Sequence, residues 1–162
     1  MNRRQRQRPQ LPGDTANARF ERTVRESFAF LVRHYGFRPE QCHTRDSEAW
    51  MMYSTREARV TVSRDHASGC KVTLTGPTPA GILRSDFGLD ELEQEMAGAG
   101  RYAPKPSAAL TLEESVAHRA EVLLAIGAEV LNGNFAMLVE RQRRRQGAFA
   151  FTTETQRGTE SS

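Results

Sequence analysis

Cysteine, lysine and long apolar runs are all scarce in this 162-residue chain. Two cysteines, Cys42 and Cys70, are too few for a disulfide framework, and no apolar run resembles a signal peptide or a membrane span, so the expected setting is the cytoplasm. Metal-ligand clusters are missing as well. Cys42 and His43 are adjacent, but a zinc site takes about four ligands and no second Cys or His group stands at a usable spacing, so neither a metal nor a cofactor is expected. Catalytic patterns are equally thin. Asp65 and His66 are the nearest approach to an acid–base pair, yet they sit beside Ser68 and Gly69 in a stretch whose residue types a hairpin turn itself favours. No nucleophile, base and oxyanion donor converge, and no enzyme is expected.

Charge of one sign is short in the middle of the chain and concentrated at its ends. Residues 1–13 carry four arginines and no acid, and residues 140–162 carry five arginines against three glutamates, a net +2. With +3 overall, residues 14–139 therefore hold 3 − 4 − 2 = −3. Nucleic-acid binding would thus belong to the ends, through Arg3, Arg4, Arg6 and Arg8 or through Arg141, Arg143, Arg144 and Arg145. The bland reading is a solvated arm at residues 1–13 and a helix C-terminus complemented by positive charge near residue 145. Low apolar content marks residues 1–13 and 146–162 as disordered, and leaves residues 14–145 as a single domain with 38% hydrophobic residues in the chain to build its core.

Within that domain the stretch 49–76 reads as β-sheet. Val60 and Val62 alternate with Arg59, Thr61 and Ser63, and Cys70, Val72 and Leu74 alternate with Lys71, Thr73 and Thr75. Such a period of two marks strands with one packed and one wet face. Trp50-Met51-Met52-Tyr53 is apolar on both sides and is expected to be buried on both. The polar joints between these runs suit hairpins, with Gly69 at a positive-φ position. Residues 38–48 read as a polar loop, Pro77 to Gly81 as a break, and Ile82-Leu83 as a brief edge strand.

Helical spacing flanks the sheet. Phe20, Val24, Phe28, Leu31 and Tyr35 form one stripe from residue 14 or 15 to Tyr35, closed by Gly36 with Phe37 folding back on Val32. Leu89, Leu92 and Met96 mark a short helix whose other side bears Asp90, Glu91, Glu93 and Glu95. This is the most one-signed surface of the domain and the expected docking face for a basic partner, with exposed positions of residues 49–53 in support. The same acids near a helix start also stabilise it through the dipole. A Gly/Pro linker follows at residues 97–110. Thr111-x-x-Glu114 is a capping box that opens a long helix through Leu112, Val116, Ala120, Leu123 and Gly127 to Val130 or Leu131, and Asn134 caps a last segment. The expected fold is α+β: an antiparallel three- to four-stranded sheet packed by an N-terminal helix and a long C-terminal helix.

Phe30-Leu31-Val32-Arg33-His34-Tyr35-Gly36-Phe37 and, later, Ile126-Gly127-Ala128-Glu129-Val130-Leu131-Asn132-Gly133-Asn134-Phe135 resemble segments of a group of small bacterial α/β domains. These are similar in layout to immunity proteins of polymorphic toxin systems. The likeness spans about residues 20–145, and its motif positions carry structure, not chemistry. It implies a non-catalytic domain that binds a protein, such as a toxin encoded nearby. Two other readings stand beside it: a secretion-chaperone-like binding protein, and nucleic-acid binding through the arginine-rich ends.

Overall fold

In a computed structural model the chain is described over residues 16–45, 48–65, 69–77, 84–106 and 111–157. The arginine arm at residues 1–13, His66, Ile82-Leu83 and residues 158–162 lie outside these. The order is α1 (Ala16–Ser27), α2 (Ala29–Tyr35), β1 (Arg38–Arg45), β2 (Glu48–Ser54), β3 (Arg59–Asp65), β4 (Gly69–Pro77), β5 (Arg84–Gly88), α3 (Leu89–Gly98), α4 (Leu112–Ile126), α5 (Ala128–Leu131) and α6 (Ala136–Arg157). The strands form one antiparallel meander in the order β1-β2-β3-β4-β5. The α+β class is as expected, but the sheet has five strands and not three or four.

Both additional strands are edges. β1 runs through the stretch read as a polar loop. An edge strand satisfies its backbone on one neighbour and needs no apolar alternation, and its Pro39, with a register shift between Pro39 and Gln41, suits a place where a missing N–H and a bulge are tolerated. β5 contributes Phe87 as its buried apolar anchor. The central strands behave as their alternation predicts: Val60, Val62, Val72 and Leu74 are buried in register with Tyr53, Met51 and Phe87. β2 departs from expectation, since only Ala49, Met51 and Tyr53 face the core, while Trp50 and Met52 are half-buried on the other side. The helices pack against the buried face of the sheet, with α1 over β1 and β2, α4 over β4, and α3 over β4 and β5.

The N-terminal stripe is buried as read, through Phe20, Val24, Phe28 and Leu31, but the helix is broken in two. Phe28 takes φ −99° and ψ 14°, and the Leu31 N–H donates to its carbonyl at 3.0 Å, a tighter turn inserted at the α1–α2 junction. α2 stops at Gly36, whose φ of 69° is left-handed. The N–H groups of Gly36 and Phe37 both turn back to the Leu31 carbonyl. Phe37 is thereby buried in the core and not laid over Val32, which stays 45% exposed.

Thr111 Oγ1 accepts the Glu114 N–H at 3.1 Å, the cap expected for α4, and Asn134 Oδ1 accepts the Ala136 N–H at 3.1 Å at the start of α6. The long helix ends earlier than its pattern suggested, at Ile126, with α5 as a separate turn. α6 does the reverse, since its backbone remains helical to Arg157 across residues read as a disordered tail. Between α5 and α6, Phe135 drops onto the sheet beside Phe87, with ring centroids 6.0 Å apart, directly over Gly76. A Cβ on Gly76 would fall within the Phe135 ring. No helix of the described residues is long and apolar enough to cross a membrane.

The Phe135 seat gives a stability test. Gly76→Ala should cost about 1–3 kcal/mol in chemical denaturation, the usual range for overpacking, and the loss should shrink when Phe135→Leu removes the ring it strikes.

Candidate protein-binding surfaces

α3 places its acids on the outer side because Leu89 and Leu92 are fully committed to the core. Three of the four do not face solvent alone. Asp90 accepts from Arg119 of α4. Glu95 accepts from Arg141 at 3.2 Å and from Arg144 at 2.9 Å, and Arg145 lies 4.0 Å from Glu91. Arg141 also reaches Gln94 Oε1 at 2.6 Å and the Glu91 carbonyl at 3.4 Å. Glu93 has no ion-pair partner among the described residues. The surface expected to dock a basic partner and the arginine cluster expected to serve nucleic acid are thus two halves of one intramolecular interlock.

Its geometry follows from helical spacing. Glu91, Gln94 and Glu95 stand at steps of three and four on α3, and Arg141, Arg144 and Arg145 repeat those steps on α6, so each set makes one ladder facing the other. Arg143 points elsewhere, to Glu140 on its own helix at 3.4 Å. The side chains of Arg141 and Glu95 are only 12% and 19% exposed, so this pair is stronger than a rim contact. Buried Leu138 sits one turn before Arg141 and anchors α6 beneath the ladder. The adjoining cavity of about 80 Å³, lined by Asp86, Phe87, Glu91, Leu138, Arg141 and Arg145, is too small for an organic ligand.

Cys42 and His43 are separated by the pleat of β1, with Cys42 opposite Met51 and His43 opposite Trp50, and therefore on different faces. No Cys–His couple forms, and no group of three potential metal ligands occurs among the described residues. Cys42 lies beside α1, where partial burial, followed by the Glu21 carboxylate, pushes its thiol above the ordinary 9.0. An open groove of about 560 Å³ runs along α1 and α2 between Ala18, Glu21, Arg22, Arg25, Glu26 and Ala29. Arg25 there is held by Glu21 through hydrogen bonds of 3.2 and 3.0 Å, and the groove has no apolar anchor.

The remaining surface is the face of the sheet opposite the helices. One row across it reads His43, Trp50, Ser63, Lys71; the next holds Met52, Thr61 and Thr73; the third reads Arg38, Ser54, Arg59, Thr75, Asp86. His43 stacks on Trp50 with centroids 5.5 Å apart and planes 24° from parallel. Thr75 Oγ1 donates to Asp86 at 2.6 Å, which ties β4 to the β5 edge. Trp50, Met52, Thr61, Ser63 and Thr73 are half-buried there, while Ser54 and Thr75 in the third row are buried. Sequence reasoning named the exposed positions of residues 49–53 only as support. Trp50 and Met52 were masked by their apolar neighbours Met51 and Tyr53, which belong to the other face.

Compared with known protein families, with curated proteins and with solved structures, the chain matches none.

Glu95→Gln should lower stability by about 2 kcal/mol, between the roughly 0–1 kcal/mol of an exposed pair and the roughly 3–5 kcal/mol lost on breaking a fully buried one. Amide hydrogen exchange should rise across residues 136–147 and stay unchanged in β2 and β3. Alkaline pH offers a second test. Burial raises the Tyr53 phenol above its ordinary 10.0, with Cys42 and Glu21 adding to the rise and Arg25 opposing it. A raised folded value means the stabilisation is complete below pH 10 and is lost as pH climbs through the folded value. The same sign at Cys42 makes its alkylation by iodoacetamide at pH 7.5 slower than that of a free cysteine peptide.

Proposed function

We propose that this chain is a non-catalytic protein-binding domain that acts by covering its partner's surface, in the manner of an immunity protein neutralising a toxin. The observation that supports this reading is the five-stranded sheet with one face left open around Trp50. Trp50 and Met52 form an apolar centre, and Thr61, Ser63, Thr73, Lys71 and Arg38 surround it with polar groups, the core-and-rim arrangement of protein interfaces. A partly desolvated tryptophan held against a second ring is the kind of side chain that carries a large share of binding energy. The strands are hydrogen-bonded to one another, so little ordering remains to be done on association.

The arginines of α6 weigh on the same side. Arg141, Arg144 and Arg145 already face Glu95 and Glu91, so a phosphate backbone would compete with those carboxylates for them. Protein recognition through the sheet needs no such rearrangement.

Coexpression with the product of the adjacent reading frame tests the proposal. The intact chain should relieve that product's toxicity and co-purify with it. Trp50→Ala should weaken the complex by about 2 kcal/mol or more, roughly thirtyfold in Kd, with an unchanged far-ultraviolet spectrum. Toxicity that persists with the intact chain, or protection that survives Trp50→Ala at undiminished affinity, would show the reading to be wrong.

A further inference from the structure

The sign of charge on the open face is opposite to that of the domain that carries it. Residues 14–139 sum to −3. On the open rows of β2, β3 and β4, the described charged side chains are Arg59 and Lys71 against a single acid, Glu48, which lies at the corner where β2 begins. Arg38 extends the Ser54–Arg59 row on one edge, and on the other Asp86 accepts from the Thr75 hydroxyl and keeps its charge, so the described side chains of this face are three cations against two acids. Lys71 shares the row of His43 and Trp50, two strands from the indole, or roughly 10 Å at the usual spacing of strands. That distance is slightly more than the Debye length of about 8 Å in physiological salt and well within the roughly 30 Å at 0.01 M, so the field of Lys71 reaches Trp50 mainly at low salt. The acids that make the domain negative are used elsewhere, three of them in α3 being paired with arginines of α4 and α6.

From this we infer that the open face receives an acidic protein surface: carboxylates arranged around an apolar side chain that seats against Trp50 and Met52. The inference rests on the protein-binding reading and names the chemistry of its partner. It reverses what the acidic helix alone suggested, because three of that helix's four acids are paired with arginines of the same molecule while Arg38 and Lys71 have no carboxylate partner among the described residues. A second copy of this chain does not fit, since face-to-face pairing would set Arg38, Arg59 and Lys71 against their own kind. Single-stranded nucleic acid fits less well than protein. Such ligands are held by successive open aromatic rings, whereas one side of Trp50 is already covered by His43 and the next row is Met52, Thr61 and Thr73.

Trp50 is the chain's single tryptophan, so its emission reports this face without labelling. The first measurement is quenching of the whole chain by iodide and by caesium at matched ionic strength. Iodide should be the more effective, and the preference should reverse or vanish in the Arg38→Glu/Lys71→Glu variant, whose exposed positions leave folding intact. The second measurement titrates Trp50 emission with three probes: a twelve-residue peptide of glutamates flanking two leucines, its lysine counterpart, and a twelve-residue oligothymidylate. The acidic peptide should give a saturable change that weakens about fivefold or more in the double variant at low salt and converges with it at high salt.

Stronger quenching by caesium, or an acidic peptide that gives no saturable change, would overturn the inference. Saturable binding of the basic peptide in its place would also overturn it and leave the protein-binding reading standing. Tighter binding of the oligothymidylate than of the acidic peptide would overturn both.

Discussion

Burial of one sheet face against helices is the constraint from which the other features of this molecule follow. Met51, Tyr53, Val60, Val62, Val72 and Leu74 form a continuous apolar surface, and the stripes of α1, α2, α3 and α4 are buried against it. Burying side chains of this size is worth about 1.5–3 kcal/mol each against leaving them in water, which holds the helices on this face. The segment 126–135 completes the layer: Gly76 is bare so that Phe135 can close over β4 and β5 next to Phe87. The open face is the necessary counterpart. Around Trp50 and Met52 the alternate residues of the strands are only half-buried.

Charge is then sorted by the same geometry. α3 lies over β4 and β5, α6 departs from the Phe135 seat beside it, and the acidic ladder of one meets the arginine ladder of the other. Glu95 sits between two guanidinium groups, and Arg141 is shielded well enough that its Nε finds no hydrogen-bond partner. The interlock fixes the first turns of a helix whose stretch 140–147 is polar and mostly exposed, a type that needs such external ties to persist. It also pairs Glu91 and Glu95 of α3 with arginines of the same molecule. What is left to meet a partner is the sheet, whose described charges on its central strands are mainly cationic.

Features governed by a single element were legible from the chain. The alternation of Val60–Val62 and Val72–Leu74, the stripe from Phe20 to Leu31, the cap at Thr111 and the left-handed Gly36 all express local periods or local backbone needs. β1 was not legible, and β5 was legible only as a brief edge strand read at Ile82-Leu83, just before its start. An edge strand is held by main-chain hydrogen bonds to one neighbour, and a sequence such as Arg-Pro-Glu-Gln-Cys-His-Thr-Arg shows no apolar period to betray it. The break at Phe28 was hidden for a related reason: a tightened turn leaves the spacing of buried residues almost unchanged. The continuation of α6 through residues 146–157 carried no amphipathic signal either.

The candidate surface divides along the same line. Composition and periodicity alone determined that this is an α+β domain, that its ends are arginine-rich, that α3 is acidic, and that no motif of catalysis or metal binding is spelled out along the chain. Which charges are spent and which are offered was decided only by tertiary structure. Glu95 and Arg141 are 46 residues apart and meet through packing that neither helix encodes. Trp50 and Met51 are adjacent in the chain, yet one faces the core and the other does not, because the register of β2 against β1 and β3 assigns their faces. Local patterns record what each residue prefers within its own element. Pairing and burial depend on the sum of contacts between distant elements, and that sum exists only once the chain has folded.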